Sequence, residues 1–454
     1  MTVSKQPELL TSGSPARRII LFALPLLAGD FFQIFYSMTD AFILGRALGI
    51  NALAATGCSA GLIHFVFGFS FGLTNGFSII TAQRVGSGDG EGIRKSVAAG
   101  MLLCLIFSLV FTFVINPFTR PLLSIMNTPP EILDDAALYF HIILSGISIT
   151  LLYNMAANII RAAGDSFSPL VFLVISTGLN IVLDILLVAV FHFGIAGAAA
   201  ATVFSELVSA VLALVFLKRR YPHLLPGKGQ WKLTGAEAKA HLSLGLAMGL
   251  QQSIVEVGNI LVQTAMNGFG TLTIAAVSAA QRIRALNMMP LFAIARSITT
   301  YTAQNYGAKK IDRVYKGMRQ ACLICLGVGV FMAVINQFFG KALVSLFVKD
   351  NAEALEMGRQ YLLYIGYSVF ILGIMLVFRS SLQGLGRPFA PILCGVMETI
   401  MSILAAFVLI PQLGFTGLCL VNPLSWLASG IPLYIAFGLF VRKFTSSASK
   451  AKAA

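Results

Sequence analysis

The chain has 454 residues, of which 57% are hydrophobic and only 11% charged. A typical soluble domain is about a quarter charged, so a water-soluble enzyme, a disordered chain and a secreted disulfide scaffold are poor fits, and a polytopic membrane protein remains. The formal net charge of +14 comes with no basic stripe interleaved with aromatics, so it points to cytoplasmic loops facing anionic lipid rather than to nucleic acid.

The polar residues up to Arg17-Arg18 read as a cytoplasmic lead into an uncleaved first span, because no small-residue cleavage site follows. A bilayer helix needs about 20 apolar residues, and the apolar runs predict twelve of them. They cover 19–44, 52–80, 95–116, 136–160, 169–191, 195–217, 241–267, 274–300, 319–339, 359–381, 390–410 and 416–441. Run length without period-2 alternation favours helices over a barrel. All six cysteines fall in apolar stretches and read as buried free thiols. Cys322-x-x-Cys325 has no further ligands nearby, so no metal site is expected.

Placing the N-terminus inside puts 24 Lys and Arg residues in inside segments and five (Arg46, Arg120, Lys341, Lys349 and Arg359) in outside ones. That asymmetry predicts two cytoplasmic termini, 1–18 and 442–454. The basic, Pro- and Gly-containing stretch 218–240 reads as a cytoplasmic linker between an N-lobe (19–217) and a C-lobe (241–441).

The two halves repeat. Thr81-Ala82-Gln83-x-x-Gly86 recurs as Thr302-Ala303-Gln304-x-x-Gly307, Gly164-x-x-Phe167-x-Pro169 as Gly386-x-x-Phe389-x-Pro391, and Gly194-x-x-Gly197 as Gly414-x-x-Gly417. The offsets are 221, 222 and 220. Six spans per half is even, so the halves are parallel repeats about an axis along the membrane normal. The expected fold is an all-α integral membrane protein, with two parallel six-helix repeats around a central cavity suited to alternating access.

Few acids fall well inside the spans: Asp30, Asp40, Asp184, Glu206, Glu256 and Glu398. A charge at the bilayer centre costs at least about 2.5 kcal/mol, so such groups mark a bundle interior or an ion pathway. Gln33, Tyr36 and Asp40 share a helix face, as do Asn180 with Asp184, Thr202 with Glu206, and Asn154 with Asn158. At the repeat offset, Asp40 falls on Ile260, Leu261 or Val262 and Asp184 on Leu404, Ala405 or Ala406. The repeated fold therefore does not need these acids, which makes them candidates for ion coupling. A buried carboxyl can carry a proton, and two carboxylates with Asn and Thr oxygens can equally hold sodium. In the second half, Gln252, Glu256, Asn259 and Gln263 form one stripe expected to line the cavity. Arg282 and Arg284 lie within span eight, and either could pair with Glu256 or Glu398, which would leave those acids structural. No Walker A loop, H-E-x-x-H or G-x-S-x-G is present, so no catalytic residues are expected.

With twelve spans in two halves, Asp40 within Ser-Met-Thr-Asp-Ala-Phe-Ile-Leu-Gly (37–45), the paired Thr-Ala-Gln-x-x-Gly segments and Gly-Asp-Ser-x-x-Pro (164–169), the chain resembles the multidrug and toxic compound extrusion (MATE) family. Asp40, Asn180, Asp184 and Thr202 match the ion-site pattern of its DinF-like branch, and Gln33, Tyr36, Asn154 and Asn158 match positions lining the first-lobe cavity. Glu256 matches the span-seven acid of the NorM-like branch, whose span-ten acid has no counterpart here, and Arg284 stands where many bacterial relatives carry an acid. The resemblance implies secondary active export of cationic, amphipathic organic compounds in exchange for protons or sodium. It implies no cofactor beyond that ion, no resident metal, contact with membrane lipids, a monomer, and residence in the cytoplasmic (inner) membrane. The alternative is a lipid-linked precursor flippase of the same superfamily. It needs a cavity rich in Arg and Lys, whereas here the acids outnumber the three intramembrane arginines.

Overall fold

The computed structural model describes residues 9–348 and 351–453, with side chains to residue 440. Lys5 and Lys349 lie outside the described residues, as do the side chains of Arg442, Lys443, Lys450 and Lys452. Among the described residues there are helices and no strands. Twelve long helices follow one another: α1 (Pro15–Leu48), α2 (Ile50–Ser87), α3 (Gly90–Ile125), α4 (Pro130–Ser145 and Ile147–Ala162, bent by 46°), α5 (Phe167–Val190) and α6 (Gly194–Arg220), then α7 (Gly235–Asn267), α8 (Thr271–Gly307), α9 (Ile311–Ser345), α10 (Ala352–Gly384), α11 (Phe389–Leu413) and α12 (Phe415–Ala453). Ten of these, counting the bent pair as one, are long and apolar enough to cross a bilayer. The remaining two, α7 and α8, have 33 and 37 residues but carry the Gln252–Gln263 stripe and the three arginines that dilute their apolar character.

The turns between helices repeat at the level of the backbone. Gly49 and Gly270, Gly164 and Gly386, and Gly194 and Gly414 all have positive φ, a conformation glycine enters without a Cβ penalty. Where Gly88 has φ 72° the second half has Lys309 at φ 58°. A π-helical turn closes α5 at Ile185–Val190 and recurs in α11 at Ala405–Leu409. The Gly-Asp-Ser motif starts α5: Asp165 accepts from the Phe167 and Ser168 backbone N–H groups at 3.0 and 2.9 Å and from Ser168 Oγ at 2.6 Å. This carboxylate satisfies donors that a helix start otherwise leaves open. Its repeat counterpart is Arg387, so the cap is specific to the first half.

The chain forms two compact units. One holds Leu24–Gly249; the other holds Leu10–Ala23 together with Leu250 onward. The first turns of α1 thus belong to the second unit, and the first turns of α7 to the first.

In the first unit α7 packs on α2 through glycines four apart on each helix. A Cβ on Gly76 would lie 2.5 Å from the Gly245 Cα, and one on Gly72 would lie 2.6 Å from the Met248 carbonyl oxygen. Lipid gives helices no hydrophobic drive to associate, so close backbone approach supplies the dispersion contact instead. A polar chain continues this seam. Arg84 pairs with Glu237 at 2.7 Å, the buried His241 ring meets the Glu237 carbonyl at 2.8 Å and Ser96 Oγ at 2.9 Å, and Ser96 meets Thr81 at 2.8 Å. Beneath it lies a core of Leu73, Phe77, Val97, Leu144, Leu151 and Met155.

The second unit treats α1 the same way. Ser297 on α8 donates to the Ile19 carbonyl at 2.8 Å, and Gln320 on α9 accepts from the Ala16 N–H at 2.7 Å. Gln304, of the repeated Thr-Ala-Gln motif, accepts from the Leu10 N–H at 2.8 Å, and its neighbour Asn305 donates to the Leu10 carbonyl at 3.2 Å.

Glycine substitutions should separate these roles. Gly76→Ala should lower the melting temperature, because overpacking typically costs about 1–3 kcal/mol. Gly178→Ala, in α5 where an added Cβ meets nothing within 4 Å, should raise it by the roughly 1 kcal/mol helix preference of Ala over Gly. Thermal unfolding of the detergent-solubilised variants by differential scanning fluorimetry reads both signs.

Candidate functional site

Three helices of the first unit bring their polar residues together. On α1, Tyr36 and Asp40 are one turn apart. On α5, Asn180 and Asp184 are one turn apart, and Asp184 immediately precedes the π-helical turn. On α6, Thr202 and Glu206 are again one turn apart. The Tyr36 and Thr202 hydroxyls are 3.2 Å apart. The Asn180 amide, oriented to satisfy both its ends, donates to Asp184 Oδ2 at 2.8 Å and accepts from the Thr202 backbone N–H at 3.3 Å. The Asp40 and Asp184 carboxyls lie within hydrogen-bonding reach of each other. Asn180 and Asp184 are buried, with 1% and 0% of their surface exposed, and Tyr36, Asp40 and Thr202 are half-buried. One oxygen on each aspartate, Asp40 Oδ1 and Asp184 Oδ1, is buried with no partner among the described residues. Two carboxylates this close repel unless at least one of them is neutralised.

The other first-half candidates divide. Asn158 is buried and accepts from Arg161 Nη1 at 2.9 Å, one turn along its own helix, while its Nδ2 has no partner among the described residues. Asn154 lies half-buried on the same helix, and Gln33 is exposed. Thr150 was not singled out by its sequence context. It donates to the Glu206 carboxylate. The spacing Thr150, Asn154, Asn158 carries the signal, since it extends the Asn stripe by one more turn.

In the second unit, Gln252 and Glu256 are exposed, and Glu256 accepts from Asn259 at 3.2 Å. A cavity of about 240 Å³ is lined by Asn259 and Gln263 from the same stripe, but by neither Gln252 nor Glu256. Among the described residues, neither Arg282 nor Arg284 forms an ion pair with Glu256 or Glu398. Arg284 donates to Asn422 at 3.0 Å, and Arg282 lies over the Phe347 ring at 5.7 Å. Helical spacing places residues on a face, but Arg284 and Asn422 are 138 positions apart, and no periodicity within one helix reports such a pairing. Among the described residues no group of three or more His, Cys, Asp or Glu could hold a metal ion.

Comparison with known proteins follows the repeat. The MatE family profile matches residues 25–186 and again 247–408, two segments 222 residues apart in register with the duplicated turns. The chain belongs to the MatE family. This MatE protein is 28% identical over 378 residues to a probable multidrug resistance protein, YpnP, of Bacillus subtilis, covering 83% of this chain and 84% of the relative. It is 25% identical over 434 residues to an FAD transporter of Shewanella oneidensis, covering 93% and 94%. A crystal structure of MATE in the bent conformation superposes with a TM-score of 0.90 at 22% identity, over 100% of both chains, and supports the fold. As a MatE protein the chain is a multi-pass membrane transporter rather than an enzyme.

A double-mutant cycle tests the periphery of the cluster. Thr150→Val should destabilise the protein by about 1–3 kcal/mol, because it leaves a buried carboxyl unsatisfied. In a Glu206→Gln background the same change should cost clearly less. Equal costs in both backgrounds, measured from chemical denaturation midpoints, would show that the two residues do not interact.

Proposed function

We propose that this chain is a secondary active exporter of amphipathic organic compounds, driven by protons or sodium bound at Asp40 and Asp184. The observation that carries the coupling is the contact between these two carboxyls, flanked by Asn180, Thr202 and Tyr36. The pair needs one positive charge to be stable, and an ion that enters from one side and leaves to the other supplies and withdraws it. In the proton reading the charge is a shared hydrogen. In the sodium reading the Asp oxygens, with the Asn180 and Thr202 oxygens, form a hard oxygen cage. Multidrug export is supported by the name of the Bacillus relative.

The second half repeats the π-helical turn after Leu404 without an acid there, so coupling is assigned to the first unit. Gln33, Asn154 and Asn158 are proposed to face the transported compound from the first unit, and Gln252 and Glu256 from the second. The site of action is the cytoplasmic membrane, with both termini inside, and the working unit is one chain in contact with lipid.

Inside-out proteoliposomes loaded against a fluorescent organic cation test this reading. With a proton gradient alone, wild type should accumulate the dye, and Asp40→Asn and Asp184→Asn should each reduce uptake to the level of empty liposomes. Uptake driven by a sodium gradient alone would select the oxygen-cage form. Undiminished uptake by folded Asp40→Asn would remove the carboxyl pair from coupling.

A further inference from the structure

The cavity of the second unit carries a charge that its surroundings do not neutralise. Arg284, half-buried on α8, lines it. An arginine keeps its proton at any accessible pH, and holding that charge inside a membrane bundle is costly without a counterion. Its hydrogen-bonding partner is a neutral amide oxygen, Asn422 Oδ1, at 3.0 Å, and its Nε is buried with no partner among the described residues. This arrangement is built rather than incidental. Asn422 donates its own N–H to the buried Tyr361 hydroxyl at 3.2 Å, which turns its oxygen toward the arginine.

The other charge on the wall is already occupied. Glu398 accepts from the Cys394 thiol at 3.0 Å, and Arg379 reaches that same sulfur at 3.9 Å. Glu398 thus shares this sulfur with Arg379, and among the described residues it forms no ion pair with Arg284. Trp426, 5% exposed, lines the same cavity and offers an apolar face to a planar ring.

We infer that this cavity is an anion-recognition subsite, in which Arg284 binds the carboxylate or phosphate group of an aromatic amphipathic solute. The guanidinium fork matches either oxyanion. At about 240 Å³ the cavity is smaller than a typical drug-sized pocket. It holds a head group with one or two rings, while the rest of the compound extends past Asn259 and Gln263, which are exposed at its mouth. The subsite thus extends the substrate class beyond organic cations to compounds that carry an oxyanion. Treating the occupant as cargo rests on the export reading above.

Isothermal titration calorimetry of the full chain in an uncharged maltoside detergent tests the subsite without any ion gradient, so a failure of coupling and a failure of this site are read separately. The probes are 2-naphthoate, 2-naphthyl phosphate and the uncharged isostere 2-naphthamide. Wild type should bind at least one of the two anions about tenfold more tightly than the amide, as expected for a charge-assisted bond. The tighter of the two identifies carboxylate or phosphate as the cognate group. Arg284→Gln should abolish the preference, and Arg284→Lys, a point charge without the fork, should keep part of it. Equal affinity of wild type for the amide and both anions, or no binding of either anion, overturns the proposal. So does a preference that survives Arg284→Gln. If Arg284→Gln does not fold, the wild-type preference and its reduction in Arg284→Lys decide the matter.

Discussion

The contact on which the first unit depends is the near-touching of two backbones where α2 meets α7. Gly72 and Gly76 on one side and Gly245 on the other leave no room for a Cβ, and Gly249 leaves little. Between helices in lipid, dispersion and hydrogen bonding must supply what water-driven burial supplies elsewhere. The seam uses both, because the Thr81–Ser96–His241 chain and the Arg84–Glu237 pair continue directly from the glycines. The second unit solves the same problem with different chemistry. There Ser297, Gln304, Asn305 and Gln320 hydrogen-bond to the backbone of residues 10–19. A repeated Thr-Ala-Gln sequence therefore sits beside both seams, and its second copy clasps the chain through Gln304.

The repeat preserves shape and discards chemistry. Four positive-φ turns and the π-helical turn of α5 and α11 recur at the same places in both halves, whereas the π-helical turn of α3 at Phe111–Ile115 has no counterpart in α9. A π-helical turn widens a helix locally and is frequent at functional sites. In the first half it follows Asp184; in the second it follows Leu404. Polar content has moved elsewhere in the second half, to Arg284, Asn422 and Tyr361. Two halves that share their turns can therefore present a pair of acids in one place and a guanidinium in the other.

Much of this was legible in the sequence, for identifiable reasons. Burying an acid in an apolar run is expensive, so Asp40 and Asp184 stood out; one-turn spacing drew Tyr36 and Asn180 to them, and the family resemblance added Thr202. Their convergence in one cluster required three helices to face each other, which the internal repeat constrains only loosely. The partners of Arg284 were not legible, because the nearest acids in the sequence pattern, Glu256 and Glu398, are not the groups it meets in space. Nor did any pattern announce that α1 and α7 each divide between the two units. Pro25 stands two residues from the division in α1 and Gly249 at the one in α7, but neither residue says by itself which unit a segment joins.

That division bears on how the protein is made. Residues 10–23 leave the ribosome first, yet the α8 and α9 groups that hold them, Ser297, Gln304 and Gln320, are synthesised nearly 300 residues later. The first unit likewise stays incomplete until residue 249 has been inserted, because Gly72 and Gly76 have no backbone to meet before then. Neither unit can be finished from its own half of the gene. Assembly of this chain is therefore an exchange between its two halves, and a fragment cut at the linker would leave each half with an open groove and each groove's filling segment on the other piece.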